Sequence, residues 1–153
     1  MRYKIPVSVL VLVYTPDLRV LLIERADHPG YWQSVTGSRE HGEALADTAV
    51  RELREETGIE AAQYGGLADW QMSNVFEIYA HWSHRFPPGT THNTEHVFAL
   101  AVPHEVPVRL APREHLRHLW LPWREAADKC FSWTNRAVIE ALPARLRPHD
   151  EEE

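Results

Sequence analysis

The residues best able to do chemistry are concentrated between Gly37 and Ile59. In order they are Gly37, five residues, Glu43, seven residues, Arg51-Glu52-Leu53, one residue, Glu55-Glu56, one residue, Gly58-Ile59. The later part is rich in strong helix formers. At about 100° per residue, a helix sets Glu52 and Glu56 one above the other at i, i+4, with Glu55 beside them. Three carboxylates on one turn repel each other, and a cation relieves that repulsion. Carboxylate oxygens with room for water suit Mg²⁺ or Mn²⁺, and Mg²⁺ binds through one or two carboxylates plus substrate phosphates. The chemistry this implies is metal-assisted hydrolysis of a phosphoanhydride.

These groups need a scaffold. Leu45, Ala46, Ala49, Val50 and Leu53 recur at helical spacing and predict a core-facing stripe on a helix over Ala44–Thr57. Gly58 sits where a left-handed C-terminal cap would end that helix. Arg51 can reach back to Glu43 and tie the preceding loop to the helix. On either side, a β-branched run over Pro6–Tyr14 reads as a buried strand, and Thr15-Pro16-Asp17 as a turn. Further strands are expected at Arg19–Glu24, Tyr31–Val35, Gly66–Met72, Phe76–Arg85, His96–Val102 and His115–Leu121. Helices are expected at Pro122–Cys130 and Asn135–Leu142. Strands, helix, strands, helix imply a mixed sheet between helices, an α/β or α+β fold.

The composition bounds the class. The chain has 153 residues, 44% hydrophobic and 25% charged, one domain's worth of ordinary globular sequence. We expect a single domain over 1–142 and an acidic, frayed tail over 143–153. No apolar stretch approaches the length of about 18 residues that spans a membrane. Ile5–Tyr14 is too short and lacks a small-residue cleavage site, so it reads as a strand rather than a signal peptide. The lone Cys130 has no internal disulfide partner, which fits a reducing cytoplasm, and we expect a buried, inert thiol. The net charge of −6 argues against a nucleic-acid footprint, which needs clustered Lys and Arg. The ten histidines include no paired Cys and no compact zinc spacing. If Phe76–Arg85 is a strand, His81 and His84 face opposite sides. A Walker A loop, a Gly-x-Gly-x-x-Gly fingerprint and a Gly-x-Ser-x-Gly elbow are all missing. Oligomeric state is not legible.

The frame from Gly37 to Ile59 matches the Nudix signature without departure, and the chain resembles the Nudix hydrolases. That resemblance implies an α/β/α sandwich and Mg²⁺-dependent cleavage, with Mn²⁺ as a substitute, of a small-molecule substrate containing a diphosphate linkage. Beyond the frame, Trp32–Gly37, Phe76–Tyr79, Pro88-Gly89, Asn93–Glu95, Glu114–Leu116 and Ser132-Trp133-x-Asn135-Arg136 are similar to one branch of that family, the bacterial dihydroneopterin triphosphate pyrophosphatases. The similarity runs from about Lys4 to Glu140. It implies removal of pyrophosphate from 7,8-dihydroneopterin triphosphate in folate synthesis, with some deoxynucleoside triphosphates, dATP among them, as further substrates.

The resemblance assigns roles residue by residue, and each residue has a plainer reading. Glu52, Glu55, Glu56 and Glu114 are implied as metal-binding and catalytic carboxylates, although a Glu in a Pro-flanked loop such as Glu114 is usually solvated. Gly37, Glu43, Arg51 and Gly58 are implied as structural. Lys4 and Arg25 are implied phosphate contacts that could be exposed strand-end residues. Thr36 is either a substrate contact or a loop cap. Phe76, Glu77, Ile78 and Tyr79 would line the pocket, an aromatic stacking on the pterin and Glu77 meeting an amino-pyrimidine edge. The plainer alternatives there are core aromatics and an exposed strand carboxylate. Ser132 contacts substrate or is a turn hydroxyl before the last helix. Three other functions use the same scaffold: a general (deoxy)nucleoside triphosphate pyrophosphohydrolase, an RNA 5′-end pyrophosphohydrolase and a non-catalytic ligand sensor. The acidic charge speaks against RNA, and the complete box against a sensor.

Overall fold

The computed structural model describes residues 2–146. Seven strands and three helices follow in the order β1 Val7–Tyr14, β2 Arg19–Arg25, β3 Trp32–Gln33, β4 Val35–Ser38, α1 Leu45–Thr57, β5 Ala68–Glu77, β6 His92–Ala101, β7 His115–Pro122, α2 Trp123–Lys129 and α3 Trp133–Leu146. Short 3₁₀ turns lie at Ala61–Tyr64 and Ala80–Arg85. Alternation along β1 sets the layers, because successive side chains point to opposite faces. Val9, Val11 and Val13 pack with Ala49 and Leu53 of α1. Leu10 and Leu12 pack with Ala126, Val138, Ile139 and Leu142 of α2 and α3. β1 is therefore apolar from Val9 to Val13, as a strand covered on both faces must be. The result is the expected α/β/α sandwich.

The sheet is mixed, in the order β3-β2-β1-β6-β5, with β4 also beside β1 and β7 beside β2. β1 and β6 run parallel from Val7 opposite Thr94 to Tyr14 opposite Ala101. The other pairings are antiparallel. β1 and β2 pair only at Tyr14 and Val20 beside their turn, and then diverge. β4 takes the place beside Ser8–Val11, and β3 the place beside Ile23 and Glu24. The divergence opens the end of the sheet where the cavity described below is found.

The structure corrects four local expectations. Phe76–Arg85 is not a strand: β5 ends at Glu77, and Ala80–Arg85 coils into a 3₁₀ turn. His81 and His84 thus lie on a turn, and the argument from strand alternation does not apply to them. The expected strand over Tyr31–Val35 is two strands broken at Ser34. Asn135 takes both groups of that residue: its Oδ1 accepts from the Ser34 N–H at 2.7 Å and its Nδ2 donates to Ser34 Oγ at 3.0 Å. On α1, Ala46 is exposed and Thr48 is buried. Thr48 can be buried because its hydroxyl donates to Glu43 Oε1 at 2.8 Å. Finally, α3 runs on through Pro143 to Leu146. Leu142 is fully buried, and Arg145 stacks 4.8 Å from the Trp70 ring. The remainder of the expected tail, from 147, lies outside the described residues.

Candidate active site

The loop and helix of the frame lock together through Arg51. Its Nε and Nη2 donate to the two Glu43 oxygens at 2.8 and 2.9 Å, and Nη2 also to the Ser38 carbonyl at 3.2 Å. Its Nη1 reaches Glu52 at 3.0 Å and Glu55 at 3.2 Å. This bidentate arrangement is one that only a guanidinium can make. It holds the Glu43 carboxyl down to about 2. Gly58 caps α1 at φ 74°, its N–H donating to the Arg54 carbonyl at 2.9 Å. Gly37 is needed for another reason. The Glu52 carboxyl lies where its Cβ would be, so any side chain at 37 collides with that carboxyl.

Glu52 and Glu56 lie against each other, as i, i+4 spacing requires. Both are largely buried, with side chains 13% and 6% exposed. Burial raises the Glu56 carboxyl well above the usual carboxylate range, and neighbouring Glu52 adds to this. Burial also raises Glu52. Glu56 Oε1 makes no hydrogen bond within the protein. Two apposed, buried carboxyls with a free oxygen fit a divalent cation. Among the described residues no three His, Cys, Asp or Glu form a ready-made metal cluster. Glu55 stands apart, 55% exposed and held by Arg51.

A cavity of about 480 Å³ opens beside Glu56. Its lining includes Lys4, Arg25, Thr36, Phe76, Ile78, Tyr79, Glu114 and Ser132, so eight of the expected residues converge from six separate segments. Glu77 does not join them. It is exposed and points away from Phe76, as neighbours on a strand do. Ser132 also caps α3, its Oγ accepting from the Asn135 N–H at 3.1 Å. Arg25 is committed to Asp27 through two hydrogen bonds of 2.8 Å, and its guanidinium lies 4.2 Å from the Trp82 ring. Arg85 joins Asp27 at 3.0 Å. Arg25 is thereby aimed, and the Asp27 carboxyl is held far below its ordinary range.

Several lining residues had no signal in the sequence. Arg85 and Arg113 add cations to the cavity, and Trp82 and Phe131 add aromatic faces. Tyr79 and Trp82 stack at 5.5 Å, and Phe131 stands edge-on to both at 5.7 and 5.8 Å. His115 is buried with Nε2 at 3.9 Å from Glu56 Oε1. Burial, reinforced by the Arg25 charge, lowers it to about 4, so the ring is neutral. Asn93 and Glu95 line the floor. Cys130 is buried, and burial raises its thiol to about 12, which makes it inert.

Known proteins agree with this architecture. The chain is 47% identical over 140 residues to the dihydroneopterin triphosphate diphosphatase of Escherichia coli, covering 90% of this chain and 92% of that one. It is 39% identical over 150 residues to the Haemophilus influenzae protein of the same name, covering 96% and 93%. A solved structure of the E. coli dihydroneopterin triphosphate pyrophosphohydrolase superposes with a TM-score of 0.88 at 44% identity, covering 95% of this chain and 99% of that one. The NUDIX domain pattern matches residues 4–142, nearly the whole chain, and the chain belongs to the Nudix family of hydrolases.

Proposed function

We propose that this enzyme hydrolyses 7,8-dihydroneopterin triphosphate to dihydroneopterin monophosphate and pyrophosphate, a step of folate synthesis, with Mg²⁺ as its metal and Mn²⁺ as a substitute. Nudix hydrolases use divalent metal ions. The observation that carries the substrate reading is one shared cavity, in which the buried Glu56 carboxyl, four cations and a three-ring aromatic wall face a single space. The high identity to two diphosphatases of that substrate supports it.

Glu52 and Glu56 would hold the ion, with Glu114 as a further ligand from the cavity rim and Glu55 at the outer edge. When bound, the ion neutralises phosphate oxygens and acidifies a water. Lys4, Arg25, Arg85 and Arg113 orient the triphosphate, Arg25 in the position fixed by Asp27. The Tyr79, Trp82 and Phe131 rings, with Phe76 and Ile78, exclude water and stack on the pterin. Thr36 and Ser132 contact the substrate beside the metal helix. A carboxylate facing the cavity, Glu56 or Glu114, takes the proton of the attacking water. The single buried thiol supports a cytoplasmic enzyme.

Phosphorus NMR of the products, with Mg²⁺ and with EDTA, tests the reaction. We expect one pyrophosphate and one monophosphate per substrate, and no turnover in EDTA. Release of orthophosphate as the first product, or turnover that ignores EDTA, would overturn the proposal.

A further inference from the structure

Four buried polar atoms that line the cavity make no hydrogen bond within the protein: Glu56 Oε1, His115 Nδ1, Asn93 Oδ1 and Glu95 Oε1. The first two belong to the metal-helix side, where His115 approaches Glu56. The other two sit at alternate positions of β6, on the sheet face that continues through Val97 and Ala99 beneath α3. Ser8 of β1 stands opposite Glu95 in the register, and its hydroxyl accepts from Asn93 Nδ2 at 2.7 Å. Glu95 is 5% exposed and Asn93 3% exposed. Among the described residues no Lys, Arg or His lies within ion-pair distance of Glu95, and burial raises its carboxyl to about 7. The Thr134 side chain hydrogen-bonds to this carboxyl, yet its Oε1 keeps no partner and faces the cavity, and an unsatisfied buried oxygen is costly unless a ligand supplies the donor.

We propose that Glu95, assisted by Asn93, determines ring specificity: its carboxylate accepts two adjacent N–H donors from the edge of a 2-amino-4-oxopyrimidine ring stacked on the aromatic wall. The inference rests on the proposed substrate and deepens it. A carboxylate offers two acceptor oxygens and no donor. The 2-amino group and neighbouring ring N–H of a pterin present two donors side by side, and guanine presents the same pair. Adenine presents a donor beside an acceptor, which a carboxylate cannot match. Asn93 Oδ1 supplies a further acceptor at the same floor. The role expected of Glu77 therefore falls to a residue two strand positions beyond Asn93, on the neighbouring strand and inside the cavity.

The test is kcat/KM of the parent and of Glu95→Gln with dihydroneopterin triphosphate, dGTP and dATP. Gln offers one donor and one acceptor, which matches adenine and mismatches the other two rings. We expect the pterin-to-dATP and dGTP-to-dATP ratios both to fall, by roughly 10- to 100-fold, the range for hydrogen bonds to a charged group. A parallel fall on all three substrates, or unchanged ratios, would overturn the inference. A parent that ignores the pterin while its dGTP-to-dATP ratio still collapses in the variant would sink the proposed substrate and keep the ring-edge reading. Should the variant fold poorly, the unmodified protein answers the same question. dITP, which lacks the 2-amino group, should be turned over roughly 10-fold less well than dGTP, and equal rates would contradict the proposal.

Discussion

The frame proposed to hold the metal and the proposed ring pocket of this enzyme are built in opposite ways. From Gly37 to Gly58, a single loop and helix hold their own parts. Arg51 gathers Glu43, Glu52, Glu55 and the Ser38 carbonyl, and Gly37 makes room for Glu52. The ring pocket has no such unit. Phe76 lies near the end of β5, Tyr79 precedes a 3₁₀ turn that carries Trp82, Asn93 and Glu95 are on β6, and Phe131 precedes α3. One helix and its entry loop thus position the carboxyls proposed to hold the ion, whereas the proposed ring pocket depends on four segments meeting at the divergent end of one sheet. A local unit constrains the chemistry tightly, and an assembled wall can change one residue at a time.

The largest expected effect is on the frame. Glu56→Gln should lose about 10³-fold in kcat, since metal-borne charge stabilisation amounts to several kcal/mol. It should nonetheless fold, with a Tm in EDTA no lower than the parent's, because it removes one of two buried like charges. Mg²⁺ should raise the Tm of the parent and not of the variant. Near-parental turnover by Glu56→Gln would break the comparison.

Two buried groups of the cavity give stability opposite pH dependences. His115, at about 4 in the fold against an ordinary 6.5, stays neutral when buried. Its contribution is complete above pH 6.5 and is lost as the pH falls from 6.5 toward 4, by about 3 kcal/mol. Glu95, at about 7 against 4.5, is favoured in its protonated form. Its contribution is complete below pH 4.5 and is lost as the pH rises toward 7, also by about 3 kcal/mol. Glu95→Gln should therefore be more stable than the parent at pH 8 while discriminating ring edges less well. Denaturant unfolding at pH 5 and pH 8 checks both signs, and a variant less stable at pH 8 would contradict the account of Glu95.

Smaller effects separate position from fold. Gly37→Ala should cost roughly 100-fold in kcat, comparable to losing one preorganised charge contact, because its Cβ displaces the Glu52 carboxyl. Its stability should change by less than about 1 kcal/mol, since a flexible side-chain end gives way rather than backbone. Trp82→Ala should raise KM for the pterin substrate about 10-fold, in line with the loss of one stacking face, and leave kcat nearly unchanged. A large kcat effect at Trp82 with no KM effect would place the ring in the wrong half of the site.

The same contrast governs what could be read from the chain. The frame was legible because every relation in it falls within one loop and the helix that follows it, where helix geometry converts spacing into position. The buried strands β1 and β2 were legible from their short apolar runs, rich in Val and Leu, on either side of a turn. Phe76–Arg85 has the aromatic composition of a strand, yet after Glu77 only the Ile78 N–H still bonds across, to the Thr91 carbonyl at 2.8 Å. The Trp82 N–H then turns back to the Tyr79 carbonyl at 2.9 Å, and those side chains build the aromatic cluster instead. Ser34 breaks its strand because of Asn135, 101 positions away. Asn93 and Glu95 fall within a motif that carries the family resemblance, but no local spacing assigns either a role. In the sequence Glu77 falls on an expected strand and Glu95 just before one, and only the folded sheet sends one to solvent and the other to the cavity.

The most direct test of the division between frame and pocket is kcat/KM for pyrophosphate release from dihydroneopterin triphosphate and each deoxynucleoside triphosphate, at matched concentrations with Mg²⁺. A clear preference for the pterin substrate is the expected result. Equal or better rates on a nucleotide would leave the metal chemistry of the frame intact and contradict the account of the pocket.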